Sequence, residues 1–194
     1  VSEFKTPFQV PPFDQIKLEH YLPAMKLGIE EQTREIDAIV NHQAKPDFRN
    51  TVEAMEQSGG LLTKVTNVFY VFLSSMTNDS MQLIAKEAAP LLSQHQDNIY
   101  LNPKLFQRVK LVYDQRENLK LTTEQSKLLE KYYKRFVRGG ANLSDAHKEE
   151  FRKINEELSV LSLKFGDNVL KETNSYMLVI DRKDDLANGP ELDK

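Results

Sequence analysis

Apolar residues recur every three or four positions along most of this chain, which is the spacing of one face of an α-helix. The first such stretch runs from about Leu18 to Ala44. A second begins near Asn50, a candidate N-cap, and extends to about Met76. Its apolar positions keep their phase through Ser58, Gly59 and Gly60, and this predicts one long helix that is bent or tightly packed at the glycines.

Four more helices are predicted, and each begins with residues that are typical of helix starts. These residues are Asp79 or Ser80, then Asn102 with Pro103, then Thr122 with Gln125, and finally Ser144. Pro90 should kink the third helix, and Gly139 should end the fifth. The sixth helix, which ends near Thr173, has the clearest apolar stripe. Its stripe consists of Phe151, Ile154, Leu158, Leu161, Phe165 and Val169.

The two ends of the chain lack this helical spacing. Residues 1–16 contain three prolines together with Phe4, Phe8 and Phe13, and we expect an extended arm whose aromatic side chains dock on the helices. Residues 176–180, Tyr-Met-Leu-Val-Ile, form a continuous apolar run of the strand type. A lone strand leaves its backbone groups unpaired, so its partner must come from the arm, another chain or sequence after Lys194.

The predicted fold class is therefore mainly all-α, with an extended N-terminal arm and a short C-terminal β-strand. The predicted organisation is an arm at residues 1–16, a helical domain at residues 17–175, and a strand with a linker toward a missing region at residues 176–194. Because the strand has no evident partner, we expect this chain to be part of a longer protein. We also expect one side of it to expose more apolar surface than a complete monomer does.

Composition agrees with this fold and excludes several classes of function. The 194 residues are 40% apolar, with only seven glycines and eight prolines, as expected for long helices rather than many tight turns. A net charge of −3 without a basic stripe argues against nucleic acid as a partner. No apolar run reaches the 18 residues of a membrane span. The absence of cysteine excludes disulfides, thiolate nucleophiles and zinc fingers.

The sequence contains no complete catalytic, cofactor-binding or metal-binding motif. A zinc peptidase helix carries His-Glu-x-x-His, but no histidine of this chain has another within four residues. His147 and Glu150 share a helix face and offer two ligands at most, at a helix start where acidic residues are favoured anyway. Nucleophile elbows and phosphate-binding loops are also missing. We therefore predict no catalytic, cofactor or metal residue among these 194 positions.

The fifth predicted helix is basic and aromatic. Its cations are Lys127, Lys131, Lys134, Arg135 and Arg138, with Tyr132, Tyr133 and Phe136 between them. One interpretation is a patch for an anionic peptide terminus or for nucleic acid. The interpretation that we favour is a solvated face over a buried aromatic stripe, with cations near the helix C-terminus as the helix dipole prefers.

Several segments, in the same order, resemble the thimet oligopeptidase, neurolysin and peptidyl-dipeptidase family of zinc metallopeptidases. The first are Pro-Phe at 12–13, His-Tyr-Leu-Pro-Ala-Met at 20–25 and Asn-Thr-Val at 50–52. The later ones are Phe-Val-Arg-Gly-Gly-Ala-Asn-Leu at 136–143, the stretch from Leu158 to Thr173, and Leu-Ala-Asn-Gly-Pro-Glu at 186–191. The bacterial peptidyl-dipeptidase branch is the most similar, and oligopeptidase A is close behind.

This resemblance implies a mostly helical enzyme whose two halves flank a deep channel, with the zinc-binding helix far beyond Lys194. In such an enzyme the glutamate of that helix activates a metal-bound water. The chain would be the non-catalytic N-terminal part and would form a channel wall that admits short peptides. Its implied partners are those peptides and the missing C-terminal catalytic region. The implied cofactor is zinc in the full-length parent, with none in this part, which we expect to be inactive alone.

Other functions stay open on sequence alone. The chain could be a stand-alone helical module for protein interaction, or part of an oligopeptidase A-type endopeptidase. A nucleic-acid-binding helical domain is the alternative that the charge favours least. The compartment is open as well, and both the cytoplasm and the periplasm of a bacterium fit the family.

Overall fold

The computed structural model describes residues 5–182, and this part of the chain is helical without strands. Two short turns of 3₁₀-helix, Pro7–Gln9 and Arg116–Asn118, and one π-helical turn, Phe48–Glu53, accompany the α-helices. The α-helices are α1 (Leu18–Val40), α2 (Ala54–Gln57), α3 (Gly60–Ser75), α4 (Asp79–Tyr100), α5 (Pro103–Asp114), α6 (Thr123–Arg138) and α7 (Asp145–Ser175). The all-α prediction is confirmed.

The chain divides into two compact units, Val1–Val160 and Leu161–Lys194, and α7 contributes to both. This division does not test the predicted boundaries at residues 16 and 175, which stay predictions. Among residues 5–182, no helix combines the length and the apolarity that crossing a membrane requires.

The predicted second helix is wrong as a single element, because it breaks at Ser58 and Gly59. Gly59 has a φ of 74°, in the left-handed region that favours glycine, and Ser58 is extended. The backbone N–H of Gly59 donates to Glu35 Oε2 of α1 at 2.7 Å. The break is therefore stabilised by a contact from a distant helix, which the periodicity of the segment itself does not reveal.

The start of this region also differs from the prediction. Asp47, rather than Asn50, is the N-cap of the π-helical turn. Its Oδ1 accepts from the backbone N–H of Asn50 at 2.7 Å, and Asn50 Oδ1 accepts from the backbone N–H of Asp47 at 3.0 Å. Asn50 thus takes the third position of a capping box instead of the first.

The predicted helix starts at Asn102 and Thr122 are confirmed. Asn102 Oδ1 accepts from the backbone N–H of Lys104 and of Leu105, at 3.0 and 3.1 Å. Thr122 and Gln125 form the predicted capping box, with distances of 3.2 and 3.0 Å between backbone nitrogen and side-chain oxygen. The C-terminal end of α1 is Val40, earlier than the predicted end at Ala44. The helix α4 includes Pro90 without a break, so the kink there stays a prediction.

The core of the first unit lies between α1, the end of α4, α5 and α6. Phe136 of α6 is fully buried at its centre, with ring centroids 5.0 Å from Tyr100 and 5.7 Å from Phe106. The other buried members of this cluster are Ile36, Ile39, Met55, Ile99, Leu105, Val109 and Ala141. Phe136 is therefore a core residue, and Tyr132 and Tyr133 are partly buried against the core.

The structure describes two of the three phenylalanines of the N-terminal arm, and one of these two docks on the helices. The Phe13 ring meets Phe72 of α3 edge to face, with centroids 5.5 Å apart. Phe8 is 99% exposed, so its predicted docking is wrong. Phe8 follows Pro7 in a tight turn, where its φ is 57°, and this turn directs its ring away from the helices. Phe4, like residues 186–191 of the family resemblance, lies outside the described residues.

The strand predicted at residues 176–180 is not formed in the described chain. These residues have no regular structure, and their side chains are exposed, from Ile180 at 45% to Met177 at 78%. The physical reason is the one that the sequence raised: a strand needs a neighbour for its backbone groups, and none of the described segments supplies one. The helix α7 forms as predicted, but most of its apolar stripe is exposed rather than buried.

Candidate functional site

A polar groove lies on the first unit between α1, α3, α4 and α6, with a volume of about 520 Å³. Apolar side chains such as Ile36, Met55 and Leu62 form part of its lining. The polar groups of its lining include Gln32, Glu56, His95, Gln96, Tyr132 and Arg135. The groove therefore offers amide, carboxylate, phenol and guanidinium groups over an apolar base.

One side of the groove is an ordered chain of hydrogen bonds through His95. This imidazole is 3% exposed, and its Nε2 lies 2.7 Å from Gln32 Oε1. Gln32 Nε2 donates to Ser58 Oγ at 3.3 Å, which fixes the orientation of the amide. Because an amide oxygen only accepts, Nε2 of a neutral His95 carries the proton. Burial lowers the pKa of His95 below its ordinary value.

This arrangement does not form a nucleophile and base. The Gln32 amide stands between Ser58 and His95, and the Ser58 hydroxyl donates to the backbone oxygen of Met55 at 2.8 Å. His95 therefore has no direct hydrogen bond through which it could take the proton of Ser58. Ser58 and His95 therefore do not form a catalytic pair in this arrangement.

The other side of the groove joins α6 to α2 and α4. The Tyr132 hydroxyl donates to Glu56 Oε2 at 2.7 Å, and burial together with this carboxylate raises the pKa of Tyr132. Arg135 Nη2 donates to Gln96 Oε1 at 2.9 Å, and its guanidinium lies 4.2 Å from the centroid of the Tyr100 ring. Arg135 is thus held flat against the groove by a hydrogen bond and a cation–π contact.

The remaining cations of α6 fit the interpretation that we favoured. Lys127 and Lys134 both form ion pairs with Glu130 on the same helix. Both lysines are more than half exposed, as expected for a solvated face. Of the five cations noted in the sequence, Arg135 is the one that the structure brings into the groove among the polar groups described above.

The structure does not assemble a metal site around His147 and Glu150. His147 Nδ1 lies 3.0 Å from Ser144 Oγ at the start of α7, where both side chains are exposed. Within residues 5–182, no group of three or more histidine and acidic residues is close enough together to hold a metal ion. His147 has a local role at the helix start.

Sequence reasoning missed most of the groove, and it missed Arg108. Arg108 is buried in α5 and donates to the backbone oxygen of His42 at 3.0 Å and to Asn50 Oδ1 at 3.0 Å. It ties the segment after α1 to α5. A single arginine on a helical pattern carries no signal of such a role, since its partners are 58 and 66 positions away.

Burial of His95 predicts a specific dependence of stability on pH. Below pH 6.5 the unfolded chain binds a proton that folded His95 resists, so the free energy of unfolding falls as pH falls toward the lowered pKa. The loss from one such group is at most about 1.4 kcal/mol per pH unit. When the free energy of unfolding is measured with urea between pH 7.5 and 5.5, it should fall less steeply with falling pH for His95→Gln than for the parent chain.

The same substitution at exposed His147 is the control for removing an imidazole. If His95→Gln and the parent chain lose stability equally over this pH range, His95 does not resist protonation in the folded state.

Comparison with known proteins places the whole chain in context. No protein-family model matches it. It is 40% identical to the dipeptidyl carboxypeptidase of Salmonella typhimurium over 93% of this chain and 27% of the relative. It is 39% identical to that of Escherichia coli over 95% of this chain and 27% of the relative. It is 23% identical to the oligopeptidase A of Salmonella typhimurium over 96% of this chain and 27% of the relative.

The chain thus spans about a quarter of the length of the curated relatives that it matches. Identity to the dipeptidyl carboxypeptidases exceeds identity to oligopeptidase A over almost the same part of the chain. The order of similarity agrees with the one that the sequence segments indicated. The chain is thus similar to dipeptidyl carboxypeptidases over almost its whole length, and it is less similar to oligopeptidase A.

Proposed function

We propose that this chain is the N-terminal, non-catalytic helical part of a zinc-dependent peptidyl-dipeptidase that releases dipeptides from the C-termini of short peptides. The observation that carries the proposal is 39–40% identity to two dipeptidyl carboxypeptidases over 93–95% of the chain. Because the match covers 27% of each relative, the proposed activity belongs to a longer polypeptide, and this chain alone is inactive.

The described residues do not fit a catalytic zinc site. Such a site uses three protein ligands, and no suitable group of side chains occurs within residues 5–182. The proposal therefore assigns the zinc ligands to polypeptide outside this range. No step of the reaction is attributed to the residues described above.

The polar groove supports a role in the wall of the substrate channel. A peptide main chain alternates N–H donors and C=O acceptors, so a surface that guides it needs both kinds of partner. The groove carries the Glu56 carboxylate as an acceptor, the Arg135 guanidinium as a donor and the Gln96 amide as both, each with capacity beyond the hydrogen bond described above. A groove with both kinds of partner and apolar lining suits a peptide without selecting one side chain.

Removal of metal from the complete gene product tests the proposed activity. We expect release of the C-terminal dipeptide from an N-blocked tripeptide, complete loss of this activity with a chelator, and recovery after zinc is added. The 194-residue chain, assayed in parallel, should show no release with or without zinc. Quantification of the dipeptide by chromatography provides the measurement.

The products also separate this proposal from its alternatives. Cleavage at internal bonds without dipeptide release would indicate an endopeptidase of the oligopeptidase A type. A native gene without a His-Glu-x-x-His helix beyond Lys194 would contradict the peptidase proposal and favour a stand-alone interaction module, for which the exposed side of α7 is the observation in favour.

A further inference from the structure

The second unit presents an apolar face that is unusually broad for an exposed helix. Within its part of α7, Leu161, Phe165, Val169 and Leu170 are 48%, 71%, 49% and 38% exposed. At about 100° per residue these four side chains cover roughly half of the helix circumference. The lysines 164 and 171 lie on the remaining side, whereas Glu172 lies on the apolar side in the last turn of the helix. The amphipathic pattern is clear, but the described residues of this unit do not bury its apolar half.

The breadth of this face indicates what kind of partner it fits. A helix that pairs with one other helix needs only a narrow seam of apolar residues, two in every seven. A helix with an apolar half packs against several elements at once, as in the core of a domain. The face is therefore better suited to a hydrophobic core than to a two-helix contact with a second copy of this chain.

Gly166 is a second, independent observation on the same side of α7. A glycine inside a helix lowers helix stability relative to alanine, so close packing against this position is a physical reason for its presence. A Cβ built at Gly166 meets nothing within 4 Å among the described atoms. Around the helix, Gly166 falls between Val169 and Leu170. A neighbouring backbone that approaches this side closely would supply the missing reason.

Residues 176–180 extend the same apolar surface beyond α7. They have the composition of a buried strand, yet Tyr176 is 74% and Leu178 is 69% exposed. No described segment pairs with them. A helix that needs a core and a segment that needs a strand partner thus follow each other directly in this unit.

The relatives are longer than this chain, and the proposed function places their remaining polypeptide after Lys194. The match to the Salmonella typhimurium dipeptidyl carboxypeptidase spans 181 residues and 93% of this chain, so it includes residues 161–180. Because that match is 27% of the relative, most of the relative's polypeptide lies outside it. A second copy of this chain would add another broad apolar face, but no strand within the described residues.

We infer that residues 161–180 are the first elements of a second hydrophobic core, completed by polypeptide that follows Lys194 in a chain of the relatives' length. Gly166 marks the point where a backbone of that polypeptide passes close to α7. This inference rests on the proposed function, because it needs the longer polypeptide, and it names the surface through which the two parts join.

Amide hydrogen exchange, measured by mass spectrometry on the complete gene product and on the 194-residue chain, tests the inference. We expect the amides of residues 161–175 to exchange at least about 100-fold more slowly in the complete product, as buried core helices do. In the complete product, Phe165→Gln should remove most of this protection. Lys164→Gln, the matched change on the charged side, should leave the protection intact.

Gly166→Ala distinguishes close packing from simple burial. In the 194-residue chain it should slow exchange in α7, because alanine favours the helix. In the complete product it should accelerate exchange of the same amides, because the added methyl group displaces the neighbouring backbone. A slowing in both would overturn the close approach at Gly166.

Other outcomes overturn the whole inference. One is that the amides of residues 161–175 exchange at equal rates in the two proteins. Another is that the 194-residue chain sediments as a dimer and these amides are protected in it. The third is a gene that ends at Lys194. Peptidase assays on the same samples separate the two proposals. Zinc-dependent dipeptide release without protection contradicts this inference alone, whereas protection without dipeptide release contradicts the proposed function alone.

Discussion

Replacement of Phe136 by alanine should lower the free energy of unfolding by about 3–5 kcal/mol. The Phe136 ring is fully buried and packs against both Tyr100 and Phe106, so its removal leaves a cavity between α4, α5 and α6. The surrounding helices are fixed by other contacts and close such a cavity only in part. Urea unfolding of the 194-residue chain, followed by circular dichroism, measures the loss.

Val137→Ala is the matched control, because Val137 is the next residue of α6 and is 38% exposed. Substitutions of this kind at the surface change stability by about 0.5 kcal/mol or less. A loss below 1 kcal/mol for Phe136→Ala would show that the ring does not hold these helices together.

Gly28→Ala should destabilise the chain by about 1–3 kcal/mol, although alanine is the better helix former. A Cβ at Gly28 in α1 would lie 2.8 Å from Leu62 Cα and 2.9 Å from Leu62 N of α3. These are backbone atoms, so no side-chain rotation relieves the clash, and the two helices must separate. The same unfolding measurement gives the magnitude.

Gly60→Ala provides a control with the opposite expected sign. Nothing lies within 4 Å of the position that its Cβ would occupy. Alanine there should leave stability unchanged or raise it by up to about 1 kcal/mol. If both substitutions stabilise the chain, α1 and α3 do not cross as closely as the structure shows.

The features predicted correctly from sequence are those set by neighbours along the chain. The capping box of Thr122 and Gln125 needs only two side chains three positions apart, so the sequence contains all of its determinants. The break at Gly59 was missed because its stabilising partner, Glu35, is 24 positions earlier. Apolar periodicity reports a shared helix face, and it does not show whether the backbone between two stretches is continuous.

The candidate groove could not be predicted for the same reason. His95 and Gln32 are 63 positions apart, and Tyr132 and Glu56 are 76 apart. Neither pair leaves a pattern in the sequence. The exposure of the apolar side of α7 could not be predicted from its periodicity either. The spacing of Leu158, Leu161 and Phe165 is the same whether or not another element covers them. Only the unpaired run at residues 176–180 indicated that something covers this end.

The apolar side of α7 has a consequence for how such a protein is made. Synthesis proceeds from the N-terminus at about 5–20 residues per second, and domains fold as they emerge. If several hundred further residues complete the second core, this face stays in contact with water for tens of seconds or longer on the ribosome. During that time it is a surface for chaperones and for aggregation, and truncated products that end near Lys194 would carry it permanently.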